Sequence, residues 1–154
     1  MARIFAIPLL WLLVVLFLGS AHFGAQQTWA LALPFLKPLA PWATTAELQG
    51  MHMLLRKLAH LSEYAVLAVL WLRALRVGRH LSMRTACWAA LLLCVSVAFV
   101  DEAHQATLQT RTGSAFDLLL DTLGALMVLM IARMLHELRG RARAAGRVET
   151  AALP

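Results

Sequence analysis

Side chains suited to acid–base chemistry and anion binding are concentrated in one short stretch. Lys57, His60, Glu63 and Tyr64, with Arg56 beside them, bring two cations, an imidazole, a carboxylate and a phenol together. At about 100° per residue, Lys57, His60 and Tyr64 share one helical face, and Glu63 lies beside it. The stretch runs directly into the apolar residues 65–72, which are typical of a membrane helix. A charge at mid-bilayer costs about 2.5–3.5 kcal/mol, so we expect this group to have polar partners.

A second polar region supplies such partners. It contains four carboxylates, an amide and a guanidinium: Asp101, Glu102, Gln105, Arg111, Asp117 and Asp121. Acids at the C-terminal end of a helix are disfavoured by the helix dipole, so a cation is expected to compensate them, and the candidates are Arg56, Lys57 and Arg111. Asp117 and Asp121 are one turn apart and present two carboxylates to one face of the next helix. We predict one polar intramembrane site built from both regions; the alternative is an ion-pair network that only orients helices.

Metal chemistry is the weaker interpretation of the same residues. The two regions hold enough histidine and carboxylate ligands for a divalent ion, but no His-x-x-x-His, His-Glu-x-x-His or paired-cysteine spacing fixes a geometry. We therefore expect no cofactor and assign no metal ligands, and a divalent metal site is left as the alternative. Cys87 and Cys94 are about 10 Å apart along one predicted helix and cannot pair there.

The composition indicates an integral membrane protein. Of the 154 residues, 61% are hydrophobic and 14% are charged, whereas soluble domains have about 45–50% and 25%. The length fits one transmembrane domain, residues 1–138, followed by a basic tail at 139–154 that we expect to be disordered and cytoplasmic. The net charge of +6 comes mainly from arginines in one loop and in this tail. That distribution determines topology and argues against nucleic acid as a partner.

The predicted fold is an all-α bundle of four transmembrane helices, at about residues 4–23, 53–75, 85–101 and 116–135. The first run also resembles a signal peptide, although its length and bulky residues favour a retained helix. Residues 25–50 contain Pro34, Pro38 and Pro41 and are expected to form an interfacial or re-entrant segment, with a packed hydrophobic loop as the alternative. Residues 107–114 form a polar connector that turns at Gly113.

Charge asymmetry predicts the orientation. The N-terminus, the arginine-rich loop at residues 73–84 and the tail collect on one side of the predicted bundle. The positive-inside rule places both termini in the cytoplasm of a multi-pass protein of the bacterial inner membrane. The polar site then lies toward the extracytoplasmic end.

Several motifs together resemble the VanZ-like membrane proteins, a family named after an accessory factor for teicoplanin resistance. The matching residues are Lys57-x-x-His60-x-x-Glu63-Tyr64, Asp101-Glu102-x-His104-Gln105, Arg111-x-Gly113, Asp117 and Thr122-Leu123-Gly124. They cover about residues 56–128 in the family's order. Two positions depart from the family pattern: Leu61 stands where an aromatic is usual, and Asp121 where an asparagine is usual.

The resemblance implies a small helical bundle whose polar pocket opens outward and whose function concerns cell-envelope lipids or the response to glycopeptide antibiotics. On that basis the residues suggest an enzyme acting on a phosphate-bearing lipid or a lipid-linked envelope precursor. His60 would be its general base or nucleophile, and the nearby acids would assist it: Glu63, Asp101 and Glu102. The remaining residues would bind or position substrate: Lys57, Tyr64, Gln105, Arg111, Asp117 and Asp121. Lys57 and Arg111 would hold the phosphate.

Two other functions use the same residues. A non-catalytic protein that binds an envelope lipid or antibiotic would use them as recognition groups. An ion- or proton-coupled transporter is less favoured, because four short helices show no internal repeat and no visibly broken span. The sequence does not indicate the oligomeric state.

Overall fold

The computed structural model describes residues 2–107 and 114–151, and within these ranges the protein is entirely helical. Five α-helices and one short 3₁₀ helix, Ala21–Phe23, make up the chain. The α-helices are α1 Ala2–Leu18, α2 Ala25–Leu39, α3 Thr45–Gly78, α4 Met83–Gln105 and α5 Ala115–Ala151. The predicted all-α class is confirmed.

Helix α3 is the centre of the assembly. It packs against α1, α2, α4 and α5, and α4 also packs against α5. Small residues allow these close approaches, because every fourth residue of α4 from Ala86 through Ala90 and Cys94 to Ala98 is buried. The same face of α4 continues to the buried side chains of Asp101 and Gln105. The buried face of α4 therefore continues into its polar C-terminal end, whose side chains point into the bundle.

Three helices are long and apolar enough to cross a membrane: α3, α4 and the part of α5 between Ala115 and Ala145. Large apolar side chains on their outer faces are more than 60% exposed, including Leu92, Phe99 and Leu119. A soluble protein rarely leaves so much apolar surface in water, whereas lipid chains would cover it. These features fit a membrane-embedded protein.

The predicted count of four spanning helices is not confirmed. Helix α1 has 17 residues and ends at Leu18, short of the predicted end at residue 23 and of the roughly 20 residues that a span requires. The chain turns at Gly19 and Ser20 into the 3₁₀ helix. Gly19 contacts the carboxylate of Asp101, so α1 ends where α4 presents its acids.

Most of the segment at residues 25–50 is helical. Its first part is α2, which contains Pro34 and Pro38, so the alternative of a packed loop is wrong. Leu36 of α2 is buried with Leu48 of α3 in a second small core. Proline cannot donate a backbone hydrogen bond, yet it fits a short helix that packs against a neighbour. Placement of α2 in the membrane interface stays a prediction.

The long helices extend beyond their predicted ends. Helix α3 begins at Thr45, where Thr44 and Glu47 form a capping box. Helix α5 continues to Ala151, so residues 139–151, expected to be disordered, are helical. Alanine and arginine are strong helix formers, and Arg133 pairs with Glu137 one turn later. The predicted turn at Gly113 lies outside the described residues.

Candidate functional site

Polar residues are buried at one end of the bundle. At this end α1 and α4 end and α5 begins, and all three pack around the first half of α3. Within the described ranges, the buried polar and charged side chains are His52, Asp101, Glu102, Gln105 and Asp121. The last four belong to the second predicted region. The structure brings them beside the first region on α3 and so confirms the expected meeting of the two.

The centre of the site is a pair formed by His60 and Asp121. The Nδ1 atom of His60 lies 3.6 Å from Oδ1 of Asp121. The Asp121 side chain is fully buried, whereas that of His60 is 18% exposed. A carboxylate at Nδ1 favours the proton on that nitrogen and leaves Nε2 as the basic atom of the ring. His60 therefore has the environment that a general base requires.

Other carboxyl groups surround this pair. Asp121 interacts electrostatically with four of them: Glu63, Asp101, Glu102 and Asp117. The hydroxyl of Tyr64 is buried within electrostatic range of Asp101, Glu102 and Asp121, and it makes no hydrogen bond to any described residue. The inward placement of Tyr64 follows from its position one helical turn after His60.

The ends of α4 and α5 are joined through two acids of α4. Gln105 donates a 3.0 Å hydrogen bond from Nε2 to Oδ2 of Asp101, and both side chains are buried. Oε2 of Glu102 accepts a 2.7 Å bond from the backbone N–H of Ser114. Glu102 thus binds the start of α5, a contact that supports the position of Asp121 two turns further on.

Lys57 faces the start of α5. Its Nζ atom lies 3.8 Å from Oδ1 of Asp117 and 4.0 Å from the ring centroid of Phe116. The Lys57 and Asp117 side chains are 39% and 33% exposed. This cation therefore sits at the rim of the site, in contact with both a carboxylate and an aromatic face.

A cavity of about 160 Å³ adjoins His60. Its polar wall is formed by Arg56, His60, Glu63 and Thr28, and its apolar wall includes Leu18 and Phe23. Arg56 donates from one guanidinium nitrogen to the Phe23 carbonyl oxygen at 2.9 Å and to Thr28 Oγ1 at 2.7 Å. Arg56 thereby links α3 to the 3₁₀ helix and to α2, which close this side of the site.

Arg56 and Thr28 are polar cavity residues with no predicted catalytic or substrate-binding role, although Arg56 is one of the cations expected to compensate the acids. Arg56 precedes His60 by four residues, a spacing that places two side chains on one helical face, so a signal for it is present in the sequence. Thr28 carries no such signal, because its role depends on how α2 folds back onto α3. Arg111, the other predicted cation, lies outside the described residues.

The described residues contain no group of three or more histidine, cysteine, aspartate or glutamate side chains arranged to hold a metal ion. The acids of the site instead contact a histidine, a lysine, a glutamine and a backbone amide. The arrangement is therefore suited to proton transfer at His60 beside a cavity that carries a guanidinium.

Comparison with known proteins identifies one family. The family model described as VanZ/LLP1 matches residues 5–136, which include every helix that contributes to the site. No curated protein and no solved structure matches the chain.

Proposed function

The chain belongs to the VanZ/LLP1 family, and from that premise and the site geometry we propose that it is an intramembrane enzyme that modifies phosphate-bearing envelope lipids or their head groups. One observation carries the proposal. His60 has a buried carboxylate, Asp121, at Nδ1 and also lines a cavity that contains Arg56. A base and a phosphate-binding cation therefore share one small cavity at the end of a membrane-type bundle.

His60 acts as the general base. Its Nε2 atom takes a proton from an attacking hydroxyl, supplied by water or by a second head group, as that oxygen attacks phosphorus. The bond from phosphorus to the leaving oxygen breaks, and that oxygen receives the proton back from the imidazolium. Asp121 orients the ring and stabilises the imidazolium between the two transfers. Asp121, predicted from sequence as a substrate-binding residue, thus takes the role of the acid that assists His60.

Arg56 binds the phosphate. A guanidinium can form two parallel hydrogen bonds to phosphate oxygens, and its charge is constant through the reaction. Lys57 is the second cation, at the rim with Asp117. A cavity of about 160 Å³ is smaller than the roughly 300 Å³ of typical pockets for drug-sized ligands. It suits a phosphate and part of a head group, while the lipid chains stay in the bilayer.

The other predicted residues support this arrangement. Asp101 and Gln105 hydrogen-bond to each other and hold the end of α4 beside the pair. Tyr64 fills the buried space among the carboxyl groups. We assign these three residues to positioning, and we keep Arg111 as a further cation for the substrate.

The cellular setting is part of the proposal. The arginine-rich loop and tail support an inner-membrane protein with both termini in the cytoplasm, and the site would then open to the envelope side. Envelope lipids and lipid-linked precursors are available there. Altered envelope lipids would in turn change the response to teicoplanin.

A non-catalytic lipid or antibiotic binder is the second candidate. The same cavity supports it, because Arg56 and His60 in its wall would recognise a phosphate without any proton transfer. A binder would retain its ligand when His60 is replaced by glutamine and would lose it when Arg56 is replaced by alanine. An enzyme would lose turnover in both cases.

Comparative lipid mass spectrometry tests the function. Cells expressing wild type, His60→Gln or His22→Gln at matched levels are compared with cells carrying the empty vector. His22 is exposed in the 3₁₀ helix and serves as the matched control. We expect one class of phosphate-bearing lipid to change with wild type and with His22→Gln but not with His60→Gln. Identical lipid profiles in all four strains would exclude the enzyme and leave the binder.

A further inference from the structure

The opposite end of the bundle contains a second cavity, of about 410 Å³. We name it the basic cavity. It is lined by Arg76 of α3 and by three basic residues of α5, His136, Arg139 and Arg143, together with apolar residues that include Leu72 and Met83. Arg76 follows His60 by 16 residues on the same helix, which is about 24 Å at 1.5 Å per residue. The basic cavity is thus separate from the candidate active site.

No ion pair joins these arginines to an acid whose side chain the structure describes. The ion pairs of Lys57 with Asp117, of His60 with Asp121 and of Arg133 with Glu137 all involve other residues. Arg76 makes a single 3.3 Å hydrogen bond, to the carbonyl oxygen of Leu81, which fixes its side chain near the end of α3. Three guanidinium groups around one cavity repel each other unless an anion lies between them.

The chain itself is poor in anions near this cavity. Six of its eight acidic residues precede position 122 and belong to α3, α4 or the first turns of α5, and the other two are Glu137 and Glu149. Glu137 is close in sequence to the cavity but is paired with Arg133. No other acid whose side chain the structure describes lies close in sequence to these arginines, so the cavity is suited to an anionic ligand.

The position and the lining of the cavity indicate which kind of anion it would bind. Part of its lining is apolar, and it lies between helices that are long and apolar enough to span a membrane. Basic pockets between such helices suit lipid head groups, because the phosphate meets the arginines while the acyl chains follow the apolar helix surface. We propose that the basic cavity binds the phosphate head group of an anionic membrane lipid.

Binding of defined lipids to the purified full-length protein tests this proposal. The protein, in neutral detergent, is mixed with equal amounts of phosphatidylglycerol and phosphatidylcholine of the same chain length, and retained lipid is measured by native mass spectrometry. Wild type is expected to prefer phosphatidylglycerol roughly tenfold. The double variant Arg139→Ala/Arg143→Ala should lose that preference. The control Arg84→Ala/Arg141→Ala removes the same charge outside the cavity and should stay within about twofold of wild type.

A second variant distinguishes lipid binding inside the cavity from electrostatic attraction of the lipid to the protein surface. Gly140 lines the cavity, and a Cβ atom added there meets nothing within 4 Å. Gly140→Leu therefore fills the space without displacing α5 and without changing any charge. It should lower phosphatidylglycerol retention about as much as the arginine double variant does. Melting temperatures of all variants are measured alongside.

Several results would overturn the proposal. Equal losses in the two double variants would show that only net charge matters. Normal retention by Gly140→Leu would show that the head group lies elsewhere. Displacement of phosphatidylglycerol by inorganic phosphate at equal concentration would show a site for the free ion rather than for a lipid.

Discussion

Gly124 of α5 lies against the main-chain carbonyl oxygen of Leu61 on α3, so closely that an added Cβ atom would overlap that oxygen. Leu61 follows His60 in the chain, and Gly124 comes one turn after Asp121. The contact between the two backbones therefore determines how near His60 and Asp121 can approach.

Gly124→Ala should force α3 and α5 apart. Inserting a methyl group against a rigid backbone costs about 1–3 kcal/mol of unfolding free energy, and the separation should also lower turnover. Thermal unfolding of purified protein measures the first effect. Gly50→Ala in α3 is the matched control, because an added Cβ atom there meets nothing within 4 Å. It should raise stability by about 0.5–1 kcal/mol through helix propensity. Equal effects of the two variants would mean that the helices are not in close contact at Gly124.

Asp121→Asn should abolish most activity while leaving the fold intact. The amide preserves the shape of the side chain but cannot stabilise an imidazolium, so turnover should fall by roughly 100-fold or more. Glu137→Gln makes the same chemical change at an exposed ion pair, and it should change turnover by less than twofold. A loss of folding, visible as a lower melting temperature in Asp121→Asn alone, would instead indicate a purely structural pair.

The Lys57–Asp117 pair should contribute little to stability. Both side chains are more than 30% exposed and their charged atoms are 3.8 Å apart, so water screens the interaction. A double-mutant cycle with Lys57→Met and Asp117→Asn should give a coupling energy of about 1 kcal/mol or less. A coupling of about 3–5 kcal/mol would be typical of a buried ion pair. It would favour the alternative in which the polar residues form an ion-pair network that only orients helices.

Arg56→Met should loosen α2. The variant keeps much of the side-chain volume but loses the bonds to Phe23 and Thr28. Hydrogen bonds from a charged donor are worth about 1.5–3 kcal/mol, so amide exchange in residues 25–39 should accelerate roughly tenfold or more. Hydrogen–deuterium exchange measures this, with Arg84→Met as the control. Unchanged exchange in α2 would show that other contacts hold this helix in place.

Much of the site follows from sequence because helical periodicity is a local property. The spacing of Lys57, His60 and Tyr64 predicts their shared face, and the polar residues of α4 and α5 are the chain's natural partners for them. The structure brings these groups together at one end of the bundle. The all-helical class follows in the same way from the long apolar runs.

The partner of His60 does not follow from sequence. Glu63, Glu102 and Asp121 are all plausible by residue type, and the choice depends on the rotation of α5 against α3. That rotation is set by packing contacts such as Gly124 against Leu61, which no periodicity reveals. Likewise, the apolar run at residues 4–23 predicts a longer helix than α1, which ends at Leu18, just before Gly19 lies against the Asp101 carboxylate.

The most direct test of the account is turnover by the purified protein in vesicles made from bacterial envelope lipids. Wild type, His60→Gln and His22→Gln are reconstituted at equal amounts, and phosphate-bearing products are followed over time by mass spectrometry. We predict turnover by wild type and by His22→Gln, and a loss of roughly 100-fold or more in His60→Gln. Wild-type turnover in a correctly folded His60→Gln protein would contradict the assignment of His60 as the base.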